Sequence, residues 1–181
     1  MPWYFGPDER LTCVAVRGAA HPAAAARVNA ICSQRNPPPT RSSEPADGRL
    51  DAVDDTRCPC SSGLPHGECC GPLHRGDRTA GTAEQLMRSR FTAFAVGDAA
   101  YLLRTWHAST RPAHLDLDDD VRWYRLDVLA THAGGPFDTT GTVEFEAFHR
   151  GPAGRGSLHE RSRFVRGADG WQYVDGVTTT V

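Results

Sequence analysis

Four of the chain's six cysteines, Cys58, Cys60, Cys69 and Cys70, crowd into residues 58–70. The stretch between them, Pro59-Cys60-Ser61-Ser62-Gly63-Leu64-Pro65-His66-Gly67-Glu68, is Gly- and Pro-rich and almost devoid of large apolar side chains. A segment this short cannot order itself by burial, because fixing each residue costs about 1–2 kcal/mol of backbone entropy. Something must cross-link it. Four soft thiolates suit a tetrahedral zinc ion, and folding around a metal would account for the order. Paired disulfides or free thiols are the alternative. The spacing, Cys-x-Cys followed by an adjacent pair, departs from the common Cys-x-x-Cys finger. His66 and His74 lie close enough in sequence to replace a ligand, although loop histidines are more often exposed.

The compartment bears on that choice. No run approaches the roughly 18 apolar residues of a membrane span. Residues 1–10 lack a basic segment followed by an apolar one. The expected compartment is therefore the cytoplasm, where clustered cysteines are read as metal ligands before disulfides. The formal net charge is −2, so charge gives no argument for nucleic acid or an anionic membrane.

Around the cluster the chain divides into unlike parts. Residues 1–55 contain an Ala-rich run, Pro37-Pro38-Pro39 and a polar stretch to Asp55, without a periodic apolar face. They are expected to be disordered or to precede the true start. A knuckle is expected over 56–75, then a polar linker with two glycines, Arg75 to Gly81, across which few contacts should pass. A main domain follows over 82–181. Thr82 with Gln85 three residues on fits a capping box. Met87, Phe91, Phe94 and Ala95 share a helical face, and Gly97 suits the helix end. Asp98 caps a shorter helix from Ala99 to about Thr105 that aligns Leu102 with Trp106. Beyond residue 120 the pattern turns to strands: Val121 to Ala130 with a phase slip near Tyr124, Thr142 to His149, Ser157 to Arg166, and Trp171 to Asp175. Helices followed by a run of strands predict an α+β fold with the helices on one face of an antiparallel sheet.

Cys58-Pro59-Cys60-Ser61-Ser62-Gly63, followed by Cys69-Cys70-Gly71, closely resembles the SEC-C motif, a zinc knuckle found on many bacterial proteins. The resemblance implies zinc held by Cys58, Cys60, Cys69 and Cys70. The motif usually has glycine where this chain has Ser61. If that position needs a positive φ, serine would cost about 1 kcal/mol there. Further blocks, Thr82 to Phe94, Tyr101 to His107, Gly141 to Phe145, His159 to Phe164 and Tyr173 to Gly176, resemble the YchJ family of bacterial proteins from about residue 56 onward. That resemblance implies a nuclear-transport-factor-2-like cone, a curved sheet wrapped around helices. It implies no reaction.

Cones of this fold often hold a pocket, so polar residues expected on its walls are the functional candidates. Period-two alternation places Glu160, Ser162 and Phe164 on one face of the third strand, with Leu158 marking it as the core face. A buried Glu160 must be paired or have a raised pKa. It is expected either to form an internal salt bridge, to Arg104 or Arg88, or to act as an acid or base with His107. Trp106, Ser162 and Arg163 are the candidate ligand-binding residues, Arg163 as an anion binder. His159, Glu144 and Glu146 are expected on a solvated face. No catalytic motif stands out, so no enzyme is assigned.

The leading expectation is a zinc-binding module. Its knuckle would dock an unknown protein partner through Leu64, Pro65 and Leu73, and its cone would bind a small ligand or a second copy of the chain. The alternative is a hydrolase or isomerase using Glu160 and His107. Nucleic acid is not expected, since Arg57, Arg75 and Arg78 face Glu68 and Asp77 near the knuckle.

Overall fold

In the computed structural model of this chain, residues 54–179 are described. The expectation for residues 1–55 falls outside these, apart from its last two. Of those, Asp54 accepts from Arg75 Nη1 at 3.1 Å and lies 3.3 Å from His66 Nδ1, so contacts to the knuckle extend ahead of residue 56.

The knuckle is a loop closed on itself. Cys58 N donates to Leu64 O and His66 N to Thr56 O, bringing Arg57 and Pro65 into a one-residue antiparallel bridge. A single turn of 3-10 helix, His66–Glu68, leads to the adjacent cysteines and a short helix α1, Gly71–Arg75, which ends at Gly76 in the left-handed region.

Helix α2, Ala83–Val96, starts as its sequence predicts. The Thr82 hydroxyl accepts from Gln85 N, and Gln85 Oε1 accepts from Gly81 N at 2.7 Å, one residue ahead of the usual capping-box partner. Gly97 ends it at φ 80°. Asp98 then caps α3, Ala99–Arg104, by accepting from Tyr101 N.

Four strands complete the fold: β1, Arg122–Ala133; β2, Thr140–Gly151; β3, Gly154–Gly167; β4, Gly170–Thr179. They form an antiparallel meander in the order β1-β2-β3-β4. Each runs past its sequence-based limits toward the hairpin turns, where ladder bonds continue through residues that no longer alternate. The phase slip near Tyr124 is a register shift between Trp123 and Arg125, and a second shift lies between Val128 and Ala130. The helices lie on one face of the sheet, over Trp123, Leu126, Val143, Phe145, Phe164 and Tyr173.

Each free edge of the sheet is engaged at one point, which partly blunts the pairing hazard of an open strand. On β4, His107 N donates to Tyr173 O and Tyr173 N to Thr105 O, so the segment after α3 adds a short parallel bridge. On β1, Leu126 N donates to Ser61 Oγ of the knuckle at 3.1 Å.

That bond belongs to a correction of the domain picture. The knuckle was expected to be independent, yet Cys58, Cys60, Cys70 and Leu73 share one buried cluster with α2 and the sheet. Arg88 Nη1 donates to Cys60 O, His74 Nε2 to Ser89 O and Arg104 Nη2 to His74 O. The linker also participates: Arg78 Nη2 donates to Glu68 O and Cys69 O, and Trp171 Nε1 donates to Gly81 O. The physical reason is the position of α2. It is buried on the knuckle side as well as the sheet side, so Ser89, Arg90 and Thr92 are buried together with Leu86, Met87, Phe91 and Phe94. A helix covered on two sides needs two covering layers, and the knuckle is the second. His66, expected to be exposed, is buried in that layer, and His74 is half-buried there, tilted against the Tyr101 ring.

Candidate functional site

Two clusters carry chemistry. The first is the cysteine centre. The Sγ atoms of Cys58, Cys60, Cys69 and Cys70 all lie within 4.8 Å of one another. Cys60 and Cys69 are 3.5 Å apart, and Cys69 and Cys70 are 3.8 Å apart. A tetrahedral ion with metal–sulfur bonds of about 2.3 Å requires sulfur–sulfur separations of about 3.8 Å, so the residues fit a metal. No disulfide links the four cysteines, which removes the paired disulfides from the alternatives left open by spacing. Hydrogen bonds with Cys58 and then Cys70 hold the Cys60 thiol well below its ordinary range, while hydrogen bonding with Cys58 and Cys60 pushes Cys70 up.

Groups beyond the sulfurs hold the ligands in place. Ser62 Oγ lies 3.2 Å from Cys69 Sγ, and Thr92 Oγ1 lies 3.6 Å from Cys58 Sγ. Ser61 adopts φ +63°, the left-handed geometry that favours glycine, and spends its side chain on the Leu126 N–H. His66 and His74 fall outside the four-residue cluster.

The second cluster lies inside the cone. Glu160 is fully buried, as the alternation of β3 predicts, together with Ser162 and Phe164. Its Oε1 accepts from Ser162 Oγ and, at 3.5 Å, from Tyr173 OH. Its Oε2 is buried without a hydrogen-bond partner among the described residues. Burial pushes the carboxyl up to about 7, with the Ser162 hydrogen bond acting in the other direction. Room for it comes from β4: a Cβ on Gly176 would collide with the Glu160 carboxyl.

The expected partners of Glu160 are elsewhere. Arg88 pairs with Glu84 and the Cys60 carbonyl, and Arg104 bonds the His74 carbonyl, because both project toward the knuckle. The arginine of the interior is Arg90, which sequence reasoning missed. It is 1 % exposed, and its guanidinium carbon lies 4.5 Å from the Tyr173 ring centroid and 5.1 Å from that of Trp106. Arg90 Nη1 donates to Leu102 O and Thr105 Oγ1, while Nη2 is buried without a partner among the described residues. Burial lowers its pKa to about 10, which leaves it charged at neutral pH. A helical position between Ser89 and Phe91 was the available signal, since Met87 and Phe91 already marked that stretch as core.

The remaining candidates separate. His107 does not meet Glu160: its Nδ1 lies 2.6 Å from Ser109 Oγ, because only its backbone joins the β4 bridge. Arg163 lies outside the cone, 63 % exposed and paired with Asp175, since it alternates with Ser162. Trp106 and Ser162 do belong to the interior cluster, Trp106 set edge-on to Tyr173 at 5.1 Å. On the outer face His159 pairs with Glu144 at 2.8 Å. Among the described residues no helix is long and apolar enough to cross a membrane.

A family profile described as "YchJ, middle NTF2-like domain" matches residues 82–176. A UPF0225 protein of Corynebacterium efficiens is 56 % identical over 122 residues, covering 67 % of this chain and 93 % of that one. A UPF0225 protein of Streptomyces coelicolor is 56 % identical over 119 residues, 66 % of this chain and 93 % of that one. The solution structure of a SEC-C motif containing protein from Rhodopseudomonas palustris is 33 % identical and covers 69 % of this chain and 100 % of its own, with a TM-score of 0.61. The crystal structure of a SEC-C motif containing protein from Psychrobacter arcticus is 26 % identical, covering 72 % of this chain and 86 % of its own, with a TM-score of 0.59.

Proposed function

We propose, on the premise that this chain belongs to the YchJ (UPF0225) family, that it is a zinc-stapled module binding a small carbonyl-bearing ligand, a carboxylate or an amide, inside its cone. Zinc is favoured at Cys58, Cys60, Cys69 and Cys70 because four thiolates in a closed, tetrahedral arrangement suit it better than harder divalent ions. Bound there, the ion would cross-link the knuckle and, with no open position, would not perform chemistry itself.

The observation that carries the ligand reading is a pair of buried polar atoms. Arg90 Nη2 and Glu160 Oε2 lack partners among the described residues, and Tyr173 stands between the two side chains, its ring under the guanidinium and its hydroxyl at Glu160. A buried donor or acceptor left unsatisfied costs about 1–3 kcal/mol, and more for a charged group. A ligand carbonyl that accepts from Arg90 and meets the Glu160 carboxyl would recover that cost. The hydrolase or isomerase reading keeps Glu160 as its acid or base but loses His107. Docking of a protein partner through the knuckle retains Leu64, 49 % exposed, and loses Leu73, which is buried.

The test is an amide-shift titration of zinc-loaded protein with acetate and, separately, acetamide. Saturable shifts should gather at Ser162 and Tyr173 and disappear in Arg90→Lys. Acetate should bind more tightly below pH 7, where Glu160 is neutral, and acetamide should not. Failure of both probes to give saturable shifts at these residues would sink the ligand reading. Elemental analysis should find one zinc per chain; iron in its place would overturn the metal assignment.

A further inference from the structure

The knuckle grips α2 at three residues that flank Arg90. Cys60 O accepts from Arg88 Nη1 at 3.0 Å, His74 Nε2 donates to Ser89 O at 2.9 Å, and Cys58 Sγ lies 3.6 Å from Thr92 Oγ1. Two of these three contacts are made by metal-ligating cysteines. In a helix, positions 88 and 92 lie one above the other, while position 90 is turned about 200° away from 88. The knuckle therefore holds one face of this turn, and the opposite face carries Arg90 to Trp106, Tyr173 and the Leu102 carbonyl of α3.

We infer that the cysteine metal centre sets the position of Arg90, with Thr92 and Arg88 as the positioning residues that transmit it. Metal occupancy then governs whether the interior polar cluster is assembled. The functional meaning of this coupling rests on the ligand reading above; the coupling itself does not. Thr92 is fully buried; its hydroxyl donates to Arg88 O at 3.2 Å and lies 3.6 Å from the Cys58 sulfur, so one side chain touches both the helix turn and the cysteine centre. Arg88 ties the carbonyl of Cys60, the second ligand, to the same turn, and Glu84 holds its guanidinium at 2.8 Å. A shift of the knuckle is thus passed to a helix turn that is packed on both sides, and close-packed elements move as units rather than deforming smoothly.

The test compares Thr92→Val, which removes the hydroxyl while keeping the shape, with Thr92→Ser, which keeps the hydroxyl. Zinc affinity is read by competition with a chromophoric chelator. Arg90 is read through its Nε–H resonance in protein saturated with zinc. Thr92→Val should bind zinc about tenfold more weakly, the usual effect of losing a partner behind a metal ligand. Its Arg90 resonance should shift while the amides of Phe145 and Phe164 stay in place. Thr92→Ser should behave as wild type. An unmoved Arg90 resonance or an unchanged zinc affinity in Thr92→Val overturns the inference, as does a Thr92→Ser protein that behaves like the valine variant. Should Thr92→Val not fold, Arg88→Gln gives the same reading at a partly exposed position, and an unmoved Arg90 resonance there overturns the inference equally. Acetate supplies the separating arm: a shifted Arg90 without acetate binding retains the coupling and discards the ligand reading.

Discussion

The knuckle and the sheet reach order by opposite routes. The four strands, of 10 to 14 residues, hold one another through a continuous ladder and bury an apolar face. The knuckle has one turn of 3-10 helix, a five-residue helix and four sulfurs. The first route needs many weak terms of about 25 cal/mol per Å² of buried apolar area; the second would concentrate its stability in the one ion that four clustered sulfurs can hold. Each region lacks something that the other supplies. The sheet leaves the edge of β1 and the outer side of α2 uncovered, and the knuckle has no core of its own. Joined, they form a single unit in which the cysteine cluster backs the outer side of α2.

The sharpest way to break this comparison is to remove the metal. Structural zinc contributes about 10–16 kcal/mol of apparent binding free energy in small fingers, comparable to the whole stability of about 5–15 kcal/mol of an ordinary domain. With the knuckle built into the shared core, chelation should lower the midpoint of the entire chain by at least about 10 °C in one cooperative transition. Calorimetry is the check. Two separate transitions, with the sheet's midpoint unmoved, would restore the independent knuckle.

Gly176→Ala probes the sheet side. The added methyl would enter the space of the Glu160 carboxyl, and overpacking of this kind costs about 1–3 kcal/mol. Urea unfolding should show that loss without changing zinc content. A neutral outcome would mean that Glu160 has another place to go.

Glu160→Gln asks what the buried carboxyl costs the cone. Its pKa rises from 4.5 to about 7 on folding, so the folded chain binds more protons than the unfolded one between those values. Stability is then fully present below about pH 4.5, falls as pH rises toward 7 and is level above. The drop is at most about 3 kcal/mol, by proton linkage. Glutamine should abolish this slope, leaving the variant more stable than wild type at pH 8 and no more stable at pH 4. Equal slopes in both proteins would place the titration elsewhere.

How much of this could be read from the chain alone also differs between the regions. The four-cysteine cluster was legible because a shared centre demands close spacing and a distinctive residue type, and the burial of Glu160 was legible because β3 alternates cleanly through Leu158, Ser162 and Phe164. The interior arginine was not. Arg88 and Arg90 flank the Met87–Phe91–Phe94 stripe on opposite sides of α2, and which of the two turns inward depends on the knuckle covering the Arg88 side. The docking itself rests on single atoms of Ser61, Thr92, Arg88 and His74. Composition described the linker correctly as polar and glycine-bearing, but a polar segment still forms contacts when Arg78 can reach the carbonyls of Glu68 and Cys69.

Ser61 gives the finest test of the join, because two effects of similar size oppose each other there. Its φ of +63° strains any residue with a Cβ, and glycine would relieve about 1 kcal/mol. Its hydroxyl, however, satisfies the Leu126 N–H at the edge of β1. Losing that acceptor costs about 1–3 kcal/mol if the N–H stays dry, and glycine adds backbone freedom to the unfolded chain worth about 0.5–1 kcal/mol. Ser61→Gly should therefore be destabilising by about 1 kcal/mol. Ser61→Ala, which keeps the strain and loses the bond, should cost more, about 2 kcal/mol. The order of the two variants in chemical denaturation carries the information. If Ser61→Ala matched wild type, the bond to β1 would contribute nothing and the knuckle would be held by α2 alone. If Ser61→Gly proved more stable than wild type, backbone strain would outweigh the join, and the serine would be there for some reason other than docking.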